Sequence, residues 1–131
     1  MKKFLLFVII LIFLISCGTD PPYITSAYYS VLIYQQNSVQ NMLSDNVYLS
    51  VFCVIAGDTE DHNLREMKIT HLDTEYSWTI EEKNLTIYNY HDTVYTGFPF
   101  IEYEDGKSLL PGNYLIEITD KQDNLSDYVI D

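Results

Sequence analysis

The chain reads as an all-β protein, a single sandwich of seven or eight short antiparallel strands. Three observations predict it. Val47-Tyr-Leu-Ser-Val-Phe-Cys-Val-Ile55 alternates, with Val47, Leu49, Val51, Cys53 and Ile55 on one face, which is the period of a half-buried strand. Segments rich in Tyr, Val, Ile and Thr recur down the chain with polar turns between them, as strands do in antiparallel sheets. No stretch after residue 23 has the apolar spacing of a long helix, and short strands without helices pack as two sheets face to face.

Each element has its own local reason. Ile24 to Tyr34 is dense in β-branched and aromatic residues, which suit a pleated surface. Gln35 to Asp45 is polar, with Ser38 to Leu43 able to form one helical turn. Asn46 to Ala56 is the strand with the clearest alternation, and Gly57 to Asn63 is a turn or loop. Leu64 to Leu72 places Met67, Ile69 and His71 on one side and Glu66, Lys68 and Thr70 on the other. Tyr76, Trp78 and Ile80 form a further alternating set. Leu85 to Tyr90 and Phe98 to Tyr103 are strands bounded by polar or Gly/Pro residues. Leu110-Pro-Gly-Asn-Tyr114 turns into a strand over 114–119, Asp120 to Asn124 turns again, and Ser126 to Ile130 is the last strand. Pro, Gly, Asn and Asp are the residues that tight turns require.

The N-terminus has a different character. Lys2 and Lys3 precede twelve uninterrupted apolar residues, Phe4 to Ile15, followed by Ser16 and Cys17. A basic start, a short apolar core and a small residue before the cut make a secretory signal peptide, helical wherever it is ordered. A membrane span is excluded by length. Twelve residues make about 18 Å of helix, against about 30 Å of hydrocarbon, and Gly18-Thr-Asp-Pro-Pro22 prevents extension.

Leu14-Ile15-Ser16-Cys17 resembles the lipobox of bacterial lipoproteins. The resemblance implies a diacylglycerol on the Cys17 thiol, cleavage between Ser16 and Cys17, and acylation of the new amino group. Two or more acyl chains hold a protein stably where one does not. Residues 1–16 are then the signal peptide, 17–23 a lipidated tether and 24–131 the domain. Gly18 follows the lipidated cysteine, and in such proteins that favours the outer over the inner membrane where a cell has both.

Removing Lys2 and Lys3 leaves five cations against nineteen carboxylates, a formal charge of −14. Nucleic-acid binding relies on basic patches, so this balance excludes it and leaves the lipid to supply membrane affinity. An aromatic content of 15% is too high for a disordered acidic tail. Cys53 is the one thiol left once Cys17 is lipidated, so no disulfide forms within the chain, and its apolar neighbours Phe52 and Val54 mark it as a core residue rather than a nucleophile.

Val47-x-Leu-x-Val-x-Cys53, Trp78, and Pro111-Gly-x-Tyr114 followed by Asp120-x-x-x-Asn124 resemble immunoglobulin-like or fibronectin type III sandwiches across most of the mature chain. In that family a Tyr near the start of strand F stands two residues before the second Cys. The resemblance gives Tyr114 that role and puts Ile116 in the cysteine position. It implies a disulfide-free relative in which Cys53, Ile116 and Tyr114 share one inter-sheet core. Trp78 lies too far beyond Cys53 for the usual packing Trp and falls on the following strand.

The chemistry-bearing residues are sparse. His62, His71 and His91 make no metal-binding pair, there is no C-x-x-C, and no zinc site is expected. Asp58 to Asp61 and Asp120, Asp123 and Asp127 lack calcium-loop spacing and read as turn formers. There is no nucleophile elbow and no Gly-rich phosphate loop, so neither an enzyme nor a cofactor is expected. Trp78, Tyr88, Tyr90 and Tyr103 are the candidate binding residues, in or near an aromatic-rich segment over 88–103. Rings with polar tips suit protein interfaces and stack on sugars. The expected function is a non-catalytic interaction or accessory module at the cell envelope with another envelope protein as partner; the alternative is a small-ligand or carbohydrate-binding lipoprotein.

Overall fold

A computed structural model describes residues 20–36, 44–57, 63–102 and 111–131. The described residues form eight strands: β1 Tyr23–Gln36, β2 Ser44–Ala56, β3 Leu64–His71, β4 Ser77–Glu81, β5 Thr86–Tyr90, β6 Thr93–Ile101, β7 Tyr114–Asp120 and β8 Leu125–Ile130. A single 3₁₀ turn, Glu82–Asn84, links β4 to β5. All pairings are antiparallel, in two sheets of four strands ordered β1-β2-β6-β5 and β4-β3-β7-β8. Among the described residues no helix is long and apolar enough to cross a membrane.

Period-2 alternation sorts each strand into a core side and an outer side. Leu49, Val51 and Cys53 of β2 face inward against Met67 and Ile69 of β3 and Ile116 and Ile118 of β7. Cys53 and Ile116 are both 0% exposed and Tyr114 is buried with them, so the three share one inter-sheet core from opposite sheets. Trp78 sits on β4 opposite Ile69, the strand after β3, and packs against the same core. The sheets also meet along one side, where the Ile24 N–H donates to Ser126 Oγ at 3.1 Å.

One strand begins earlier than expected. The segment predicted over 98–103 starts at Thr93, because His91 and Asp92 join β5 to β6 as a two-residue hairpin with φ of 44° and 61°. Such turns need positive φ at both central residues and usually carry Asn-Gly; no glycine marks this one. The helical turn expected over 38–43, the acidic loop 58–61 and Tyr103 lie outside the described residues.

Two buried polar groups fix loops at opposite ends of the second sheet. His71 is buried at the end of β3, with Nδ1 2.9 Å from Thr74 Oγ1 and Nε2 3.2 Å from the Pro111 carbonyl oxygen. A carbonyl only accepts, so Nε2 carries a hydrogen and donates it to Pro111, while Nδ1 pairs with the Thr74 hydroxyl. Its ring also meets Tyr114 edge-on at 5.0 Å. At the other end, Asp120 accepts from the backbone N–H groups of Gln122 and Asn124 and from the Asn124 amide, each at 2.8 Å. Burial disfavours its charge. The Asn124 and Gln122 hydrogen bonds, with the nearby Arg65 guanidinium, outweigh that and hold the carboxyl below its ordinary value. The Asp120 carboxylate is thereby a turn clamp.

Candidate functional site

The outer faces of the two sheets differ in where their aromatic rings and charges fall. On the β4-β3-β7-β8 sheet, Glu66 and Lys68 of β3, Glu117 and Thr119 of β7 and Asp127 of β8 lie out of phase with the core, interspersed with Leu115, Leu125 and Val129. Lys68 Nζ lies 3.4 Å from Glu117 across that surface. This is the usual solvated face of an antiparallel sheet.

The outer face of the β1-β2-β6-β5 sheet is aromatic instead. Its register places Tyr28 opposite Phe52, Phe52 opposite Gly97, and Tyr88 opposite Tyr95. Tyr28 and Tyr95 meet edge-on at 6.0 Å, while Tyr88 and Tyr90 lie side by side at 6.3 Å with only 13° between ring planes. Toward the far end Tyr34, Tyr48 and Phe100 form a triangle with centroids 5.7–6.2 Å apart. The Tyr48 hydroxyl hydrogen-bonds Glu102, and that bond, with partial desolvation and the carboxylate charge, raises its pKa above the ordinary value. Tyr28, Tyr34, Tyr88, Tyr90 and Phe100 are all exposed.

Gly97 lets this face form. A Cβ there runs into the Val51 carbonyl oxygen and comes within 2.9 Å of Phe52 Cδ1, so the Phe52 ring lies over a position that carries no side chain. An aromatic covering a cross-strand glycine restores the packing the glycine lacks.

Of the four residues expected to bind, Tyr88 and Tyr90 are brought together on this face. Trp78 is not with them. It belongs to the inner side of the other sheet, and its indole N–H donates to the Glu102 carbonyl at 2.7 Å. It lines a small cleft of about 200 Å³ with Asn84, Phe98, Phe100 and Glu102, where the sandwich opens between β4 and β6. Tyr95 and Phe100 fall within the aromatic-rich segment expected over 88–103, while Tyr28, Tyr34, Tyr48 and Phe52 lie outside it. Their signal is present in the sequence all the same: Tyr48, Phe52 and Val54 are out of phase with the core yet not polar, and β1 carries no charged residue on either face.

The remaining reactive groups stand apart. Burial pushes the Cys53 thiol up to about 12, so it is not a thiolate at neutral pH. His71 is consumed by Thr74 and Pro111, and His91 packs edge-on against Tyr90 at 4.2 Å. Among the described residues no three His, Cys, Asp or Glu side chains converge as a metal site. Comparison of the chain with protein-family models, curated proteins and solved structures finds no match.

Proposed function

We propose that the chain is a bacterial cell-envelope lipoprotein, held by lipid on Cys17, whose domain is a non-catalytic interaction module. The single observation that carries the interaction is the asymmetry of the sandwich: all eight of the aromatic rings on the outer faces, among the described residues, lie on one sheet, while the other outer face mixes charged residues with a few aliphatic ones. An antiparallel sheet exposed to water ordinarily alternates to polar on that side. Aromatic rings concentrated in one exposed patch are the composition of a protein interface. The rings line an open sheet face rather than a closed pocket, which favours a protein partner. The parallel Tyr88 and Tyr90 rings support a second reading, a carbohydrate stacked on that pair.

The domain reads as immunoglobulin-like. Lettering the strands A, B, C, C′, D, E, F and G in chain order, the sheets run A-B-E-D and C′-C-F-G, the constant-type order with one strand added beside C. Buried Tyr114 at the start of F and Cys53 on B fit the same reading. The lipobox motif and the basic-apolar leader support the anchor, and Gly18 favours the outer membrane in a cell with two.

Two measurements test this. Cys17→Ser must abolish metabolic labelling by a fatty acid and release or misprocess the protein; normal processing and membrane retention overturn the anchor. Tyr28→Ser with Tyr95→Ser must abolish co-purification of the partner cross-linked to the full chain, while Lys68→Ala with Glu117→Ala leaves it intact. The reverse pattern overturns the face.

A further inference from the structure

Strand β5 is the outermost strand of the aromatic sheet, paired on one side with β6 through Thr86↔Gly97, Tyr88↔Tyr95 and Tyr90↔Thr93. The pair closing a two-residue hairpin exchanges both backbone hydrogen bonds, and such pairs then alternate. Thr86, Tyr88 and Tyr90 therefore turn their backbone groups toward β6. The N–H and C=O groups of Ile87 and Asn89 are directed to the other edge, which pairs with no strand among the described residues.

Proteins ordinarily protect such an edge with charge, proline or a bulge. Thr86-Ile-Tyr-Asn-Tyr90 has no charge and no proline, its register is unbroken, and all five residues are exposed. The other edges are managed. β1 is bulged between Ile24 and Ser26 and tied to β8 through Ser126, β4 carries Glu81, and β8 carries Asp127.

Large aromatic or aliphatic side chains flank this edge on both surfaces of the sheet, with Thr86 on the outer and Asn89 on the inner surface beside them. On the outer surface Tyr88 and Tyr90 are 55% and 54% exposed; on the inner surface Ile87 and Val94 are 42% and 44% exposed although they face the core side. An added strand would lay alternate side chains against each surface. A second copy of the chain is a poor occupant, because the edge is five residues long and each copy cleaved before Cys17 carries a formal charge of −14. That charge attracts a basic segment instead. On the outer surface its cations would meet the Tyr88 and Tyr90 ring faces, which favour them.

We propose that the β5 edge accepts an extended segment of a partner protein, alternating basic and apolar residues, as an added antiparallel strand. Its basic residues lie beside Tyr88 and Tyr90, its apolar residues lie beside Ile87, and its backbone bonds Ile87 and Asn89. This rests on the reading that the aromatic sheet engages a protein.

The test uses the full chain in detergent micelles and the peptide acetyl-Lys-Val-Arg-Val-Arg-Val-Lys-amide. Amide exchange is read by nuclear magnetic resonance. Peptide at saturation should slow exchange at Ile87 and Asn89 by about tenfold or more, with little change in β8. N-methylation of the three valines, which removes the hydrogens that would bond β5, should weaken binding by about tenfold or more. Replacing every Lys and Arg by Glu should do the same. Unslowed exchange at Ile87 and Asn89, equal binding of the N-methylated peptide, or equal binding of the acidic peptide each overturns the proposal. The peptide variants leave the protein untouched, so no outcome depends on a mutant's folding. Failure of the face reading looks different: partner capture then survives Tyr28→Ser with Tyr95→Ser.

Discussion

Gly97→Ala should destabilise the domain and disturb the aromatic face at once. The new Cβ would lie 2.7 Å from Phe52 Cα and 2.9 Å from Phe52 Cδ1, and it runs into the Val51 carbonyl oxygen. Two of those three atoms are backbone of β2, the strand paired with β6, so relief requires the strands to separate rather than a side chain to rotate. Overpacking of this kind costs about 1–3 kcal/mol, and alanine returns about 0.4–1 kcal/mol by restricting the unfolded chain. The net expectation is a loss of about 1.3 kcal/mol, which lowers Tm by roughly 4–7 °C for a domain of this size. Urea unfolding of a version lacking residues 1–17, followed by fluorescence of the single tryptophan, Trp78, measures it. A variant as stable as the parent, within about 0.5 kcal/mol, would refute the reasoning. So would a destabilised variant whose Phe52 ring keeps its place over position 97.

Three further outcomes follow from the buried groups. Cys53, pushed up to about 12 by burial, should resist a thiol reagent at neutral pH in the version lacking residues 1–17 and react fully in urea; rapid native modification contradicts the buried thiol. Asp120 has a folded pKa held below its unfolded value, so the stability it contributes is complete above about pH 4 and is lost as pH falls through the folded value. Urea midpoints at pH 5 and pH 3 should differ less for Asp120→Asn than for the parent, and an unchanged difference contradicts the clamp. His71→Ala removes a buried ring, takes the ring donor from the Pro111 carbonyl and leaves the Thr74 hydroxyl only its bond from the Tyr76 N–H, a loss of about 2–4 kcal/mol. Thr74→Val should cost about 0.5–1.5 kcal/mol, and the opposite ranking in thermal unfolding contradicts the hydrogen-bond assignment.

The strands were legible where alternation is clean and turns carry the usual residues. Asn46 to Ala56, Leu64 to Leu72 and the closing hairpin show their core faces directly, and Met67, Ile69 and His71 are buried together as the spacing implies. The start of β6 was hidden because His91-Asp92 adopts positive φ without a glycine to announce it. The candidate site was only half legible. Tyr88 and Tyr90 are neighbours on one strand, so their pairing is local. The other six rings arrive from β1, β2 and β6 through the sheet register, which depends on tertiary pairing and not on any window of sequence. Trp78 was grouped with the tyrosines by closeness along the chain, yet the crossover through Glu82–Asn84 carries it to the other sheet.

Photo-cross-linking inside the native cell tests the central claim most directly. A benzophenone amino acid placed at Tyr95, in the middle of the aromatic face, should give a covalent adduct with one envelope protein. The same group at Glu117, on the charged face of the other sheet, should give none. Adducts from position 117 with none from position 95 would contradict the assignment of the aromatic sheet as the binding surface.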